Sequence, residues 1–400
     1  MSTRCKTRRS KPPTEPADGH LPAEALDVGP PGARSWCPGR EAWGEVVGPQ
    51  KGFGIPTLRT VRAFAVEALA VGRPTRQQEL TESNEMKQGQ ASRTAEYMAL
   101  FRALESTLAA DLRLFEDRFA TAFLAPRFRA VVGLSRIPLI GALVRAYIDR
   151  RWPGARTSAV ARTRFIDDAV ETALRAGIQQ VVILGAGFDA RAYRLAALTR
   201  VAVFEVDHPS TSAAKRKVLA TALSLAPDHV QFIPVDFNSE SWQSAVTSAG
   251  YDPCRRTLFI WEGVTNYLTE DAVDGTLRWC ASSAAGSRVL FTYVHRRVLD
   301  TPQAFEGTEK LFATLRAAGE RWTFGLDPSE LSRFLAQRGL VLQEDVGASD
   351  YRARYFGQAA TRMPGYEFYR IAVARVPGQS SEDTDAAEQM VAAAGAPRRL

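Results

Sequence analysis

Apolar segments of this 400-residue chain are followed at four places by an acidic side chain, and these carboxylates are the residues best suited to ligand chemistry. They are Asp189, Asp207, Asp236 and Glu262. A carboxylate accepts hydrogen bonds from a ribose diol, an exocyclic amine or an ammonium group. In open α/β sheets the ligand lies outside the carboxyl ends of the strands. The pattern therefore predicts that these acids line one binding crevice.

The first of these segments carries the strongest signal. Residues 181–184 are apolar and mostly β-branched, and they lead directly into the loop that contains Gly185 and Gly187. This pattern predicts a buried strand that turns tightly into a helix over residues 192–198. One glycine permits the turn, and the other lets a ligand lie against the main chain because it has no Cβ. Asp207 follows about 20 residues later, where a nucleotide ribose needs a carboxylate.

Two cofactors are compatible with these features. Gly185, Gly187 and Ala190 satisfy a loose dinucleotide pattern, so NAD is one candidate. The other is S-adenosylmethionine, which ends in a zwitterionic amino acid where NAD has a pyrophosphate. Asp189 lies in the loop that would face the pyrophosphate, and a carboxylate there repels phosphate but suits an ammonium group. The alternative reading is that Asp189 only caps the following helix, so the loop by itself leaves both cofactors open.

Four motifs in combination resemble the leucine carboxyl methyltransferase superfamily, in particular its bacterial, actinobacterial-type branch of S-adenosylmethionine-dependent methyltransferases. The motifs occupy residues 161–168, 184–195, 204–209 and 262–268. The resemblance implies a class I methyltransferase fold. This is an α/β, Rossmann-like sheet of about seven strands, mostly parallel with a C-terminal antiparallel hairpin, and with helices on both faces. Ala190 departs from the family, which usually has threonine there.

The resemblance also implies which residues hold the amino-acid end of S-adenosylmethionine. It places Arg162 on the methionine carboxylate and Glu262 near the methionine end. Guanidinium and carboxylate groups are the partners that a zwitterion requires. Asp189, whose carboxylate suits the ammonium group, completes this part of the expected cofactor site.

The nucleoside end of the cofactor is expected to lie against a second set of motif residues. The resemblance places Gly185 and Gly187 against the cofactor and Asp207 on the ribose. It places Asp236 and Phe237 at the adenine. An acid followed by an aromatic residue can hydrogen-bond the adenine amino group and cover the face of the ring.

The chemistry expected of this cofactor is direct displacement at its methyl carbon by an oxygen of the acceptor. The sulfonium leaving group becomes neutral, so alignment and exclusion of water are the main requirements. A hydroxyl acceptor benefits from a base, and the candidate catalytic residues are Tyr267 and His295, which follow the fourth and end the fifth predicted strand. An ionised carboxylate or an acidic phenol needs no strong base. We therefore predict an O-methyltransferase that acts on a small-molecule carboxylate or phenolic hydroxyl, such as a secondary metabolite.

Two other functions are alternatives to an O-methyltransferase. An NAD-linked oxidoreductase fits less well, since the sequence has no Tyr-x-x-x-Lys acid–base pair and the glycine loop lacks a third glycine. A non-catalytic binding protein on the same fold is the other alternative, because a fold does not fix a function.

The composition limits the expected partners. The net charge is +7, but the basic residues are scattered and interleaved with acids, so no nucleic-acid partner is expected. The longest apolar stretch, residues 131–144, contains Arg136 and is too short to span a bilayer. The cysteines and histidines show no metal-ligand spacing, so no metal site is expected. The basic N-terminus lacks the apolar segment of a signal peptide, so we expect a cytoplasmic protein.

Three regions differ in composition. Residues 1–85 have no counterpart in the resemblance, are largely rich in Pro, Gly and charge, and are expected to be a mostly disordered extension. Residues 86–376 are expected to form the methyltransferase domain with an N-terminal helical cap. Residues 377–400 contain mainly small and charged side chains, which is typical of a flexible tail.

We predict that removal of residues 1–85 leaves the fold and the cofactor affinity intact, because this segment lacks the apolar periodicity needed to join a core. Circular dichroism, thermal unfolding and calorimetry with S-adenosylhomocysteine would compare the truncated chain with the full-length one. A truncated chain that unfolds or loses affinity would show that the segment belongs to the domain.

Overall fold

The computed structural model describes residues 93–223, 227–236, 241–317 and 319–378. These residues form one sheet with helices packed against it. The expected extension at 1–85 and all but the first two residues of the expected tail at 377–400 lie outside the described residues, so the domain boundaries stay predictions.

Within the described residues, seven strands form one mixed sheet, as the resemblance implied. In chain order they are β1 (Gln180–Leu184), β2 (Ala202–Asp207), β3 (Val230–Pro234), β4 (Thr257–Trp261), β5 (Arg288–Val294), β6 (Val341–Val346) and β7 (Tyr369–Arg375). Their spatial order is β3-β2-β1-β4-β5-β7-β6. The strand order reverses between β1 and β4, and the crevice outside such a point is where open α/β sheets bind ligands.

Twelve α-helices surround the sheet in the described part of the chain. They are α1 (Arg93–Glu105), α2 (Pro126–Ser135), α3 (Pro138–Arg151), α4 (Ala155–Arg175), α5 (Arg191–Arg194), α6 (Pro209–Ala222), α7 (Trp242–Ser248), α8 (Glu270–Ala281), α9 (Arg297–Asp300), α10 (Thr308–Ala317), α11 (Leu331–Ala336) and α12 (Ala348–Phe356). Helices α1 to α4 all precede the first strand, so the sheet begins only after a helical segment.

The alternation of side chains along β1 shows that the sheet is covered on both faces. Val181 and Ile183 belong to one apolar cluster, while Val182 and Leu184 belong to another. Successive side chains of a strand point to opposite faces, so each face carries its own packed layer. This burial on both faces explains why the strand is a continuous apolar run in the sequence.

The last two strands pair antiparallel, as predicted, but they are not joined by a simple hairpin loop. The strand β7 lies between β5 and β6 and runs antiparallel to both. Helix α12 and the 3-10 helix Gly357–Arg362 form the connection. Asp350 accepts a hydrogen bond from the backbone N–H of Gly347 at 2.7 Å, which stabilises the start of α12. Tyr355 then ties α12 to α4 by donating to Asp168 at 2.8 Å.

The helix predicted over residues 192–198 also differs in detail. The chain forms the single turn of α5 and then the 3-10 helix Ala196–Arg200. Leu195 separates the two because its backbone is extended, with φ −89° and ψ 107°. The break leaves α5 too short to present a long helix to a phosphate group.

The described segments were compared with the features of membrane-spanning helices and of metal sites. No helix in these segments is long and apolar enough to cross a membrane. The described side chains include no group of three or more His, Cys, Asp or Glu residues that could hold a metal ion.

A buried ion pair fixes β2 to α6 beneath the carboxyl edge of the sheet. The ammonium of Lys215 lies 2.8 Å from the carboxylate of Glu205, and both side chains are 2% exposed. Tyr193 donates a further hydrogen bond to Glu205 at 3.0 Å. Burial raises the pKa of Glu205, and the neighbouring Lys215 offsets part of this effect. The pair therefore depends on both partners being present.

We expect Lys215→Met to lower the free energy of unfolding by about 3–5 kcal/mol, because it leaves the Glu205 carboxylate buried without its cation. Denaturant unfolding measures the loss. Lys217→Met, an exposed position on the same helix, serves as the control and should change stability little. Combining Lys215→Met with Glu205→Gln should recover part of the loss. A single variant as stable as the wild type would contradict the role given to this pair.

Candidate functional site

The loop after β1 brings both motif glycines to the carboxyl edge of the sheet. Gly185 and Gly187 have positive φ values of 67° and 44°, which glycine adopts without a steric penalty. A Cβ on Gly185 would lie 2.3 Å from Cγ2 of Val264, so close packing against the loop after β4 also requires this glycine. A Cβ on Gly187 would lie 3.7 Å from that of Ala95, an ordinary contact, so the requirement there is mainly conformational.

Asp207, at the end of β2, holds the glycine loop in place. One carboxylate oxygen accepts a hydrogen bond from the backbone N–H of Gly187, and the other accepts from the N–H of His208 at 2.7 Å. Burial raises the pKa of Asp207, while these hydrogen bonds act in the opposite direction. A carboxylate can accept about four hydrogen bonds. Asp207 therefore retains the capacity to bind a ribose diol.

Arg162 lies on α4 and contacts the loop after β4 at the same edge of the sheet. Its side chain is buried, and its Nε donates to Oε1 of Glu262 at 2.8 Å. Its guanidinium carbon lies 4.6 Å from the centre of the Tyr369 ring, a cation–π arrangement. Its Nη2 also contacts the sulfur of Met98 at 3.4 Å. The guanidinium is thus held by side chains from three other elements of the chain, namely α1, β7 and the loop after β4.

Glu262 is the centre of a wider charge network. Its second oxygen accepts from Arg191 at 2.8 Å, and the same Arg191 nitrogen donates to Asp189 at 2.6 Å. Asp167 on α4 accepts from Arg191 at 2.9 Å and from Arg194 at 2.6 Å. The network therefore links α4, α5 and the loops after β1 and β4.

The network carries no net charge. It contains three guanidinium groups and three carboxylates, namely Arg162, Arg191, Arg194, Asp167, Asp189 and Glu262. A zwitterionic amino acid adds no net charge to such a site, and each of its ends finds a group of opposite sign. A pyrophosphate would add negative charge next to Asp189, Glu262 and Asp207. The composition of the network therefore fits a zwitterion better than a pyrophosphate.

The arginines keep the acids of the network ionised despite their burial. Burial raises the pKa of Asp189, but Arg191, followed by Lys215 and further groups, lowers it to about 2. Burial likewise raises the pKa of Glu262, and Arg191 and Arg162 bring it below its usual value. Asp189 also accepts from the backbone N–H of Arg191 at 2.8 Å, so it anchors the start of α5 as well as an ion pair.

One face of α1 covers this edge of the sheet. Thr94, Met98 and Arg102 are spaced four residues apart and so lie on the same side of the helix. Met98 contacts Arg162, and Arg102 donates to the backbone carbonyl of Phe188 at 2.6 Å. The helical segment before the sheet thus closes over the glycine loop.

The predicted adenine site is only partly within the described residues. Asp236 follows β3, which lies beside β2 in the sheet. Phe237 lies outside the described residues. Contact of these two residues with adenine therefore stays a prediction.

Tyr267, a predicted catalytic residue, lies in the 3-10 helix Thr265–Tyr267 after β4. Its hydroxyl donates to Oε2 of Glu320 at 2.8 Å. Its ring lies 6.5 Å from that of Trp322, and Trp322 lies 6.4 Å from Tyr369. Since Tyr369 stacks under Arg162, Tyr267 is close to the amino-acid end of the expected cofactor site.

His295, the other predicted catalytic residue, lies farther from the charge network. Its Nδ1 accepts from the backbone N–H of Arg297 at 3.2 Å, and its ring lies 5.6 Å from Phe305. Phe305 contacts Phe368, and Phe368 contacts Trp322, so two phenylalanine rings separate His295 from Trp322. Partial burial lowers the pKa of His295, with Asp327 acting in the opposite direction.

Six residues of the site were not predicted from the sequence, namely Asp167, Arg191, Arg194, Glu320, Trp322 and Tyr369. The first three lie inside the motifs, and a charge count over these motifs could have found them. The other three are distant in sequence from every motif and carry no local signal. Only the fold brings them to the site.

The sheet order, the antiparallel β7 and the glycine–acid edge define a class I methyltransferase fold. The family model of leucine carboxyl methyltransferase matches residues 95–281. A relative from Frankia alni, named as an S-adenosyl-L-methionine-dependent methyltransferase, is 39% identical over 208 residues, or 52% of this chain and 70% of the relative. The chain belongs to the leucine carboxyl methyltransferase family, which confirms the resemblance found in its sequence.

Two further comparisons give another relative and a solved structure that are similar to this chain. A relative from Mycobacterium marinum with the same functional name is 36% identical over 236 residues, which cover 57% of this chain and 72% of the relative. A solved structure of a DUF574 family protein from Streptomyces avermitilis covers 72% of this chain and 99% of its own, with a TM-score of 0.47 and 14% identity. The names of the two relatives state the methyl donor and no acceptor.

We expect wild type to be more stable than Asp189→Asn by about 2 kcal/mol at neutral pH, and this difference to shrink as the pH falls from 4 toward 2. The folded-state pKa of about 2 lies below the ordinary value of 3.8, so the ion pair stabilises the fold above pH 3.8 and is lost as the acid protonates. Denaturant unfolding between pH 2 and 7 measures this difference. Asp168→Asn, which alters a half-exposed pair with Arg164, is the control. A pH-independent difference for Asp189→Asn would contradict the ionic role.

Proposed function

We propose that this protein transfers the methyl group of S-adenosylmethionine to an oxygen of a small molecule, either a carboxylate or a phenolic hydroxyl. Its membership of the leucine carboxyl methyltransferase family supplies the enzyme class and the methyl donor, and both agree with the sequence prediction. The observation that carries the assignment at the level of the site is the charge-neutral network around Glu262.

The residues of the site match the parts of the donor. Arg162 would pair with the methionine carboxylate, and Glu262 with the ammonium group. Asp207 would accept hydrogen bonds from the ribose, and Asp236 would accept from the adenine amino group. The donor supplies an electrophilic methyl group on a sulfonium that becomes neutral on transfer. The protein contributes orientation, exclusion of water by α1, and control of the acceptor proton.

Three properties of the site weigh against NAD and hence against an oxidoreductase. Asp189, Glu262 and Asp207 place negative charge where a pyrophosphate would lie. The helix after the glycine loop, α5, has only four residues, so its dipole offers a phosphate little stabilisation. The arginines at this edge are already balanced by carboxylates of the protein itself.

The surroundings of Tyr267 support an aromatic or otherwise flat acceptor. An apolar cluster lies beyond the ends of β4 and β5, and its rings include Tyr267, Phe305, Phe312, Trp322, Phe368 and Tyr369. Aromatic walls of this kind bind apolar rings through large contact areas. The Nδ1 of His295 already accepts a backbone hydrogen bond, and burial lowers its pKa. These features support an acceptor that is acidic enough to react without a strong histidine base.

We expect S-adenosylmethionine and S-adenosylhomocysteine to bind and NAD not to bind. Arg162→Met should weaken the binding of S-adenosylhomocysteine about 10- to 100-fold, because it removes a hydrogen-bonded charge from the carboxylate of the ligand. Glu262 keeps its contact with Arg191 in this variant, so the network is not dismantled. Calorimetry with each ligand measures the affinities.

Arg164→Met is the matched control, since Arg164 lies on the same helix with its side chain 42% exposed and pairs with Asp168. It should leave the affinity unchanged. Transfer of labelled methyl groups to a panel of carboxylic acids, phenols and alcohols, with the products identified by mass spectrometry, tests the reaction itself. Binding of NAD, unchanged affinity in Arg162→Met, or methylation on nitrogen or carbon would each contradict the proposal.

A further inference from the structure

The carboxylate of Glu320 lies beside the predicted catalytic Tyr267 and accepts two side-chain hydrogen bonds. The hydroxyl of Tyr267 donates to Oε2 of Glu320 at 2.8 Å, and the hydroxyl of Thr94 on α1 donates to the same oxygen at 2.7 Å. The carboxylate therefore accepts from both sides and is fixed between the covering helix and the loop after β4. Its position in the sequence, just after α10, is remote from every motif.

The direction of this hydrogen bond limits what Tyr267 can do toward a ligand. A phenol carries one hydrogen, and that of Tyr267 points to Glu320. Toward any other group Tyr267 can therefore only accept a hydrogen bond. Tyr267 is half-buried, so part of its side chain is exposed. An ionised carboxylate has no hydrogen to give and cannot use this oxygen, whereas a hydroxyl can.

Trp322 provides a hydrogen-bond donor next to Tyr267, whose oxygen can only accept. The residue is 8% exposed, and its indole Nε1 has no hydrogen-bond partner among the described residues. Its ring stands nearly perpendicular to that of Tyr267, at 85°. The centres of the two rings are 6.5 Å apart, so the indole lies next to the phenol. A buried donor without a partner is costly, which indicates that a ligand supplies one.

The Tyr267 hydroxyl and the Trp322 indole lie next to the expected amino-acid end of the cofactor. The Trp322 and Tyr369 rings are 6.4 Å apart, and the guanidinium of Arg162 lies over Tyr369 at 4.6 Å. The ring of Phe312 packs against Trp322 at 5.5 Å, so the surroundings are aromatic. A group held between Tyr267 and Trp322 is therefore close to the part of the cofactor that carries the methyl group.

Resting on the proposed function, we propose that Tyr267 and Trp322 bind the reacting hydroxyl of a phenolic acceptor, with Glu320 as the positioning residue that takes up its proton. The hydroxyl accepts a hydrogen bond from the indole N–H and donates one to the Tyr267 oxygen. One lone pair then remains for attack on the methyl carbon. The site thereby selects a phenol over a carboxylate, the two acceptor classes that the overall function leaves open.

The reaction balances with these groups alone. The acceptor oxygen forms a bond to the methyl carbon, and the carbon–sulfur bond breaks with its electron pair retained on sulfur. The acceptor proton passes to the oxygen of Tyr267 as the proton of Tyr267 passes to Glu320. The products are the methyl ether, neutral S-adenosylhomocysteine and a protonated Glu320. Release of this proton to water restores the starting state.

The first test compares matched acceptors on the full-length chain. Benzene, naphthalene, coumarin and anthraquinone rings would each be presented once with a hydroxyl group and once with a carboxyl group. Methyl transfer from labelled S-adenosylmethionine and thermal stabilisation in the presence of S-adenosylhomocysteine are the two measurements. We expect methylation and stabilisation with a hydroxyl compound and neither with its carboxyl counterpart.

The second test separates the proton path from a structural role. For the best hydroxyl acceptor, Glu320→Gln and Tyr267→Phe should each lower kcat about 100-fold or more, with the KM for S-adenosylmethionine unchanged. In Glu320→Gln, a nitro-substituted form of the same acceptor, already ionised near neutral pH, should restore most of the rate. No proton has to be removed, and the Tyr267 hydroxyl, no longer held by a carboxylate, can donate to the phenolate. A variant damaged only in its folding would lose both rates alike. Tyr147→Phe on α3 and Glu309→Gln on α10 are the matched controls and should behave as wild type.

The outcomes distinguish this inference from the proposed function. If S-adenosylhomocysteine does not bind, the proposed function itself fails. If it binds but carboxyl compounds are methylated in preference to hydroxyl compounds, or no hydroxyl compound is methylated, the role given to Tyr267 and Trp322 is wrong. If the nitro-substituted acceptor fails to restore the rate in Glu320→Gln, that residue does not take up the proton.

Discussion

The ion pairs that hold Glu262 between Arg162 and Arg191 are the interaction on which the rest of the site depends. Glu262 follows β4, Arg162 lies on the long helix α4, and Arg191 begins the short helix α5. A single carboxylate thus fixes three elements at the carboxyl edge of the sheet. Breaking a buried charge network by removing one member leaves an uncompensated charge, so its geometry is strongly enforced.

The charge balance of this network also favours a zwitterionic ligand. The network contains equal numbers of guanidinium and carboxylate groups. Groups of both charges therefore lie close together at the edge of the sheet, and their net charge is zero. That arrangement suits an amino acid, whose two charges also cancel, and it opposes a phosphate group. The family membership of the chain and the electrostatics of its site therefore lead to the same methyl donor by independent routes.

Tyr369 and helix α1 connect the expected donor side of the site to the proposed acceptor side. Tyr369 carries the guanidinium of Arg162 on its ring and contacts Trp322. Helix α1 contacts Arg162 through Met98 and Glu320 through Thr94. A displacement of α1 would affect both sides together. This coupling suits a reaction in which donor and acceptor have to be aligned while water is excluded.

The sequence by itself determined the sheet, the glycine loop and the acids at the strand ends, because these features rest on local patterns of burial, turn geometry and spacing. It did not determine which residues pair with those acids, or that α5 has only one turn. Both depend on tertiary contacts such as the ion pair between Asp167 and Arg191. Nor did it indicate Glu320 or Trp322. These residues follow a helix that carries no motif, and they reach Tyr267 only because the chain folds back over the ends of β4 and β5. Contacts between such distant segments are set by packing of the whole domain, so only the tertiary structure could decide them.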